Sequence, residues 1–155
     1  MSAAPIVPSA AAFTMKRAHG DPALVLGVLD LLARHQPYRD YPFALMLARV
    51  RRQMDQRSAV IVLRDATPIA YFGGVLLSRD AAERWHHSRG EIGFDADWRH
   101  GDAVVISIVV SDHARLLRPM ARAFAKLYPG HKGYWKRVYT DGRPDSWRPS
   151  QLGRR

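Results

Sequence analysis

The sequence has no cysteine, which excludes disulfides, thiolate chemistry and any mechanism that relays an acyl group through a thiol. It is also short of acid: 14 Asp and Glu stand against 24 Lys and Arg, a formal net charge of +10. Such an excess suits an acidic partner, whether nucleic acid, an anionic membrane surface or a strongly acidic protein such as an acyl carrier protein. The plainer account is a well-solvated, arginine-rich surface, because the arginines are spread along the chain instead of forming one block. Long hydrophobic runs are missing as well. The longest, Ile106 to Val110 and Ile69 to Leu77, fall far short of the roughly 20 residues that cross a bilayer, so no membrane span is expected. No basic residue precedes the small, apolar stretch Met1 to Thr14, and Lys16 and Arg17 follow it. Residues 1–20 therefore read as a flexible arm and not as a signal peptide. A cytoplasmic location is the expectation, in keeping with the absence of cysteine.

What is present is enough for one core. A chain of 155 residues with 47% hydrophobic and 10% aromatic residues makes one compact domain, expected over residues 21–141, followed by a flexible basic tail over 142–155. Asp21 before Pro22 is a helix start, with a capping carboxylate and Pro at the first helical position. Val25, Val28, Leu29 and Leu32 continue it at helical spacing to about Arg34. The segment His35 to Pro42 has two prolines and the ionisable or phenolic side chains His35, Tyr38, Arg39 and Tyr41, a loop composition held between two helices. Phe43, Met46, Leu47 and Val50 mark the second helix, and Arg49, Arg51 and Arg52 gather at its C-terminal end. There they complement the helix dipole or offer a docking face to an acidic partner.

Ser58 to Leu63 and Pro68 to Leu77 flank the turn Arg64 to Thr67 and predict an antiparallel hairpin. Gly73 and Gly74 inside its second strand mark a bulge, or a place where another backbone or a ligand comes close. Arg79 to Arg89 reads as a charged helix or excursion, and Gly90 to Gly101 as a polar loop. Ala103 to Val110 is almost unbroken in β-branched residues and predicts a central strand buried on both faces, with Ser107 its one polar side chain. Asp112 is a plausible N-cap for a helix carrying Leu116, Met120, Phe124 and Leu127, whose start Pro119 would delay or kink. Tyr128 to Gly130 ends it, and Tyr134 to Tyr139 alternates as a last strand. His86, His87 and His100 share a region with Asp95, Asp97 and Asp102, but their spacing matches no metal-ligand motif, so no metal is expected.

Several of these segments together resemble the RTX toxin-activating lysine acyltransferases. The likeness runs from about Leu26 to Val138. It is carried by the loop Pro37-Tyr-Arg-Asp-Tyr-Pro42 and the hairpin Leu63-Arg-Asp-Ala-Thr-Pro-Ile-Ala-Tyr71. It continues through Trp98-Arg-His-Gly-Asp102 and Phe124-Ala-Lys-Leu-Tyr-Pro129 with Arg137. The resemblance implies a GNAT-like α/β single domain, a mixed and largely antiparallel sheet flanked by helices, often dimeric. It implies an acylated acyl carrier protein as donor, no bound cofactor, and a lysine of a protein or peptide as acceptor. It also implies a histidine in the helix-to-helix loop and an aspartate on the buried strand, a pair able to take the proton that an ammonium must lose before it attacks a thioester.

Both positions are altered here. The histidine position falls on Tyr38, or the loop has lost that residue altogether, and the aspartate position falls on Ser107, or on Ile108 in a shifted register. Tyr38 as a proton donor, His35 swung into the vacated space, and Ser107 are the candidate catalytic residues. Arg39, Tyr41, Tyr71, Gly73 and Gly74 are candidates for substrate binding, and Arg49, Arg51 and Arg52 for carrier docking. Three functions follow: an acyl-carrier-dependent lysine acyltransferase, an inactive relative that keeps carrier or peptide binding, and a basic nucleic-acid-binding module. The last lacks any recognisable nucleic-acid-binding motif.

Overall fold

The computed structural model describes residues 13–87, 100–137, 146–147 and 150–151. Its elements follow in the order β1 (Phe13–Arg17), α1 (Pro22–Ala33), a 3-10 turn (Tyr38–Asp40), α2 (Phe43–Asp55), β2 (Ala59–Arg64), β3 (Thr67–Leu77), α3 (Arg79–His87) and β4 (Ala103–Ser111). A second 3-10 turn (Ala114–Leu116), α4 (Leu117–Ala125), β5 (Lys132–Arg137), β6 (Ser146–Trp147) and β7 (Ser150–Gln151) complete it. The strands form one sheet in the order β1-β2-β3-β4-β5-β6, with β7 also paired to β5. Among the described residues the β4–β5 pair is parallel and the other pairs are antiparallel. This is the expected α/β architecture, a mixed and largely antiparallel sheet flanked by helices. Among the described residues no helix is long and apolar enough to cross a membrane.

Local chemistry accounts for the elements. The Asp21 carboxylate accepts from the Ala23 amide at 2.8 Å, and Pro22 opens α1. Asp65 and Ala66 both take positive φ (47° and 69°), the left-handed pair that a two-residue hairpin needs to match strand twist. The C-terminus of α2 closes with Arg57 at φ 55°, as Arg57 N–H donates to Met54 O and Ser58 N–H to Gln53 O. Pro119 neither kinks nor delays α4. It is the third residue of the helix, in the first turn, where its missing N–H has no intrahelical partner to lose.

The sheet separates two layers. On one face α1 and α2 cover Ile61, Tyr71, Ile108 and Val110, and α3 covers Val75, Leu77, Ala103 and Val105 farther along the same face. On the other, α4 lies over Val60, Val62, Phe72 and Val104 through Met120 and Phe124. The Tyr134 hydroxyl donates to Glu83 Oε1 at 2.9 Å and ties β5 to α3.

Four expectations need correction. Residues 13–17 of the supposed arm form edge strand β1, paired to β2 from Phe13↔Arg64 to Arg17↔Val60; the strand is short and mostly exposed, so no buried run betrays it. In the tail expected to fray, Ser146–Trp147 and Ser150–Gln151 pair with β5. Phe43 is 65% exposed, and the buried stripe of α2 is Met46, Arg49, Val50, Gln53 and Met54. Asp112 does not cap α4, which has no side-chain cap at its N-terminus; its carboxylate is engaged elsewhere. Asp95, Asp97 and Trp98 lie outside the described residues.

Candidate functional site

The parallel pair is where the sheet opens. β5 follows β4 only from Ala103↔Lys132 to Ile106↔Trp135, while β4 continues beside β3 to Ser111. From Ser107 onward the β5 side of β4 is without a strand partner among the described residues. A bulge lies at the same place: Gly74 pairs with Ile106 and Gly73 with Ile108, so Ser107 is the extra residue. The gap thus lies at the carboxyl ends of two parallel strands joined by a helical crossover. In open α/β sheets ligands bind in crevices at that end.

Tyr38 reaches into this open edge from the loop after α1. Its hydroxyl accepts from Val109 N–H at 2.8 Å and donates to Val109 C=O at 3.1 Å, taking the place of one rung of the missing strand. Burial pushes the Tyr38 phenol above its ordinary value of 10.0. A phenol that is harder to ionise and already holds two backbone bonds is a loop anchor and a poor proton donor. Its ring lies 6.5 Å from that of Tyr41.

The vacated edge ends at a pair of ionisable side chains. Asp112 directly follows β4 and His35 directly follows the cap of α1. His35 Nε2 lies 2.7 Å from Asp112 Oδ1, and Arg34 Nη1 lies 3.5 Å from Asp112 Oδ2. The His35 and Asp112 side chains are 31% and 24% exposed, half-sheltered but open to a substrate. With Nε2–H donated to the carboxylate, Nδ1 is the ring nitrogen left to accept a proton. The sequence offered His35 alone. Asp112 was hidden because an aspartate between a strand and a helix has a ready explanation as a cap; the signal for another role is that the helix begins five residues later, too far for a cap.

The other candidates fall into different surroundings. Ser107 Oγ accepts from Gln53 Nε2 at 2.7 Å, and Gln53 Oε1 accepts from the Tyr71 hydroxyl at 3.0 Å. A neutral amide cannot take a proton from the serine. Ser107 is also five residues from Asp112, about 16 Å along the strand. Tyr71 is fully buried, its phenol pushed far above the ordinary value by burial, so it is a core residue and not a substrate contact. The glycines make room for the protein itself. A Cβ on Gly73 would lie 2.1 Å from Gln53 Oε1, and one on Gly74 would lie 2.8 Å from Phe124 Cζ and 2.9 Å from Val105 O. The close approach foreseen at both positions is therefore by Gln53 and Phe124, not by a ligand. Gln53 itself was legible as a polar residue on the apolar stripe of α2.

Arg39 is exposed beside Asp40, with Nε 3.7 Å from Oδ1. Arg49 is only 5% exposed, so the expected docking triad is broken: Arg51 is on the outside, Arg52 is half-buried and Arg49 is in the core. Among the described residues no group of three or more His, Cys, Asp or Glu is arranged to hold a metal ion.

No protein-family model matches the chain, and no curated protein matches it significantly in sequence. Solved structures do. The GphF GNAT-like decarboxylase in complex with isobutyryl-CoA is 18% identical, with a TM-score of 0.63 over 83% of this chain and 67% of that one. The loading GNATL domain of CurA from Lyngbya majuscula is 10% identical, with a TM-score of 0.56 over 85% of this chain and 71% of that one. The fold is GNAT-like, as the resemblance implied. Neither of these two is described as a toxin-activating acyltransferase.

Proposed function

We propose that this chain transfers an acyl group from the thioester of an acyl carrier protein to an amine, that of a lysine in a protein or peptide. The observation that carries the reading is the His35–Asp112 pair, set at the open carboxyl end of β4 where β5 has left the sheet. A lysine ammonium, with an ordinary pKa near 10.4, must lose a proton before its nitrogen can attack. An imidazole oriented by a carboxylate is suited to take it near neutral pH. In the proposed reaction His35 Nδ1 accepts that proton and the nitrogen adds to the thioester carbonyl carbon. The carbon–sulfur bond then breaks, the sulfur leaves with the proton from the imidazolium, and the nitrogen gives up its second proton to water, leaving a neutral amide and a free thiol. Asp112 fixes the tautomer and stabilises the charge that His35 gains.

Two further points support the reading. The family that the sequence resembles draws its histidine from the loop after the corresponding helix and its aspartate from the buried strand; here a histidine lies in that loop and an aspartate lies just past the end of that strand. One structural neighbour is described in complex with isobutyryl-CoA, itself an acyl thioester. The test is intact-mass analysis of a lysine-containing peptide mixed with octanoylated acyl carrier protein, with and without the chain. The expected result is an octanoyl mass increment that needs the chain and is lost in His35→Ala. Carrier binding without transfer would refute the transferase and leave a binding role.

A further inference from the structure

We propose that the outward face of α4, with Arg115, Arg118, Arg122 and Lys126, is the surface on which an acidic acyl carrier protein docks, in place of the arginines of α2. The inference rests on the thioester-transfer reading above for the identity of the partner, and on independent observations for the surface.

The four side chains recur at spacings of three, four and four residues, so they line one side of the helix and the turns at its ends, over about 16 Å. All four are exposed, while Met120 and Phe124 on the opposite side hold the helix to the sheet. None of the four has a side-chain hydrogen bond or ion pair among the described residues. Elsewhere cations are matched at home: Arg34 with Asp30 and Asp112, Arg39 with Asp40, Arg79 with Asp102, and Lys132 with Glu83. The sequence has no Asp or Glu from His113 to Thr140, so nothing local offsets the stripe. The exposed side of α4 thus carries cationic side chains and no acidic one, an arrangement that steers and orients an acidic surface.

Position selects the partner. As the crossover between the parallel strands β4 and β5, α4 runs back along the sheet, so that Arg115 and Arg118 lie toward the carboxyl end of β4, at the end of the sheet where the gap opens. A carrier bound there would hold its acyl arm at the mouth of that gap. A nucleic acid would find the same charge but would have no use for the adjoining crevice. The α2 arginines offer less, since Arg49 is buried and Arg52 half-buried.

The test is the affinity of octanoylated acyl carrier protein for the full chain, measured by calorimetry at low salt. It is repeated with Arg115→Glu/Arg118→Glu/Arg122→Glu, with the milder Arg118→Ala/Arg122→Ala, and with Arg51→Glu/Arg52→Glu; folding of each is checked by circular dichroism. The expected result is a loss of at least about tenfold for the α4 reversal and a smaller, same-direction loss for the alanine pair. The α2 reversal should change affinity less than about threefold, and wild-type binding should weaken with added salt. An unchanged affinity in the folded α4 variants, a larger loss in the α2 variant, or no carrier binding by wild type would overturn the surface. So would tighter α4-dependent binding of a short DNA duplex than of the carrier. Carrier binding through α4 without acyl transfer by wild type would leave the surface standing and refute the transferase instead.

Discussion

His35 and Asp112 stand 77 positions apart in the chain, yet Nε2 of one lies 2.7 Å from Oδ1 of the other. The end of α1 and the end of β4 meet there, and the contact joins an imidazole to a carboxylate. Asp112→Asn keeps the shape but removes the negative charge beside His35. The expected outcome is a fall in kcat of about tenfold to a thousandfold, and for His35→Ala of about a hundredfold or more, with carrier affinity little altered. Single-turnover transfer to a lysine peptide reads both.

Tyr38 is expected to matter for structure more than for proton transfer. Tyr38→Phe removes the hydroxyl that serves both Val109 N–H and Val109 C=O. Leaving those groups without it costs about 1–3 kcal/mol, read as a lower midpoint in chemical denaturation. The pH profile of transfer should keep its shape, which a catalytic phenol would not allow.

Gly73→Ala should be among the most damaging small substitutions. Its methyl group would overlap Gln53 Oε1 and push apart the Tyr71–Gln53–Ser107 hydrogen-bond chain. A loss of about 2–4 kcal/mol is expected in thermal or chemical unfolding. Gly73→Ala combined with Gln53→Ala should recover part of it, and full additivity would show that the clash is not with Gln53.

Ala66→Gly should act in the opposite sense. Ala66 sits at φ 69° in the hairpin turn, a left-handed conformation that costs an L-residue with a Cβ about 1 kcal/mol and costs glycine little. A rise in Tm of about 2–4 °C is expected, and a fall would refute the turn geometry.

Stability should depend on pH through His86. Burial is the main cause that holds this imidazole below its ordinary value of 6.5, with His87, Lys136 and Lys132 acting the same way and Glu83 opposing them. Its ring packs 5.5 Å from that of Tyr134. Because the unfolded chain binds the proton more readily, this contribution is complete above about pH 6.5 and is lost as the pH falls from there toward the lowered folded value. Denaturation midpoints at about pH 5 and pH 7 should differ less in His86→Phe than in wild type.

Much of the fold is legible from local pattern. The Asp21–Pro22 start of α1, the turn residues of the β2–β3 hairpin and the β-branched run of β4 each state their own conformation, since caps, turns and alternation act over a few residues. The bulge was legible too, through Gly73 and Gly74, although its cause was not: the space those glycines leave is filled by Gln53 from α2 and Phe124 from α4. Edge strand β1 escaped because its residues are exposed and its pairing with β2 spans more than forty residues.

The sequence by itself determined the charge, the absence of thiol chemistry, the helices and the hairpin, because these follow from composition and short-range periodicity, and its resemblance to a known family implied the GNAT-like α/β domain. Only the tertiary structure decided that β5 leaves β4 at Ile106, that Tyr38 anchors its loop to the open edge, that Arg49 is buried, and that Asp112 turns to His35 instead of capping α4. These relations join residues far apart in the chain. No local pattern specifies them, and the packing of α1, α2 and α4 against the sheet brings them into being.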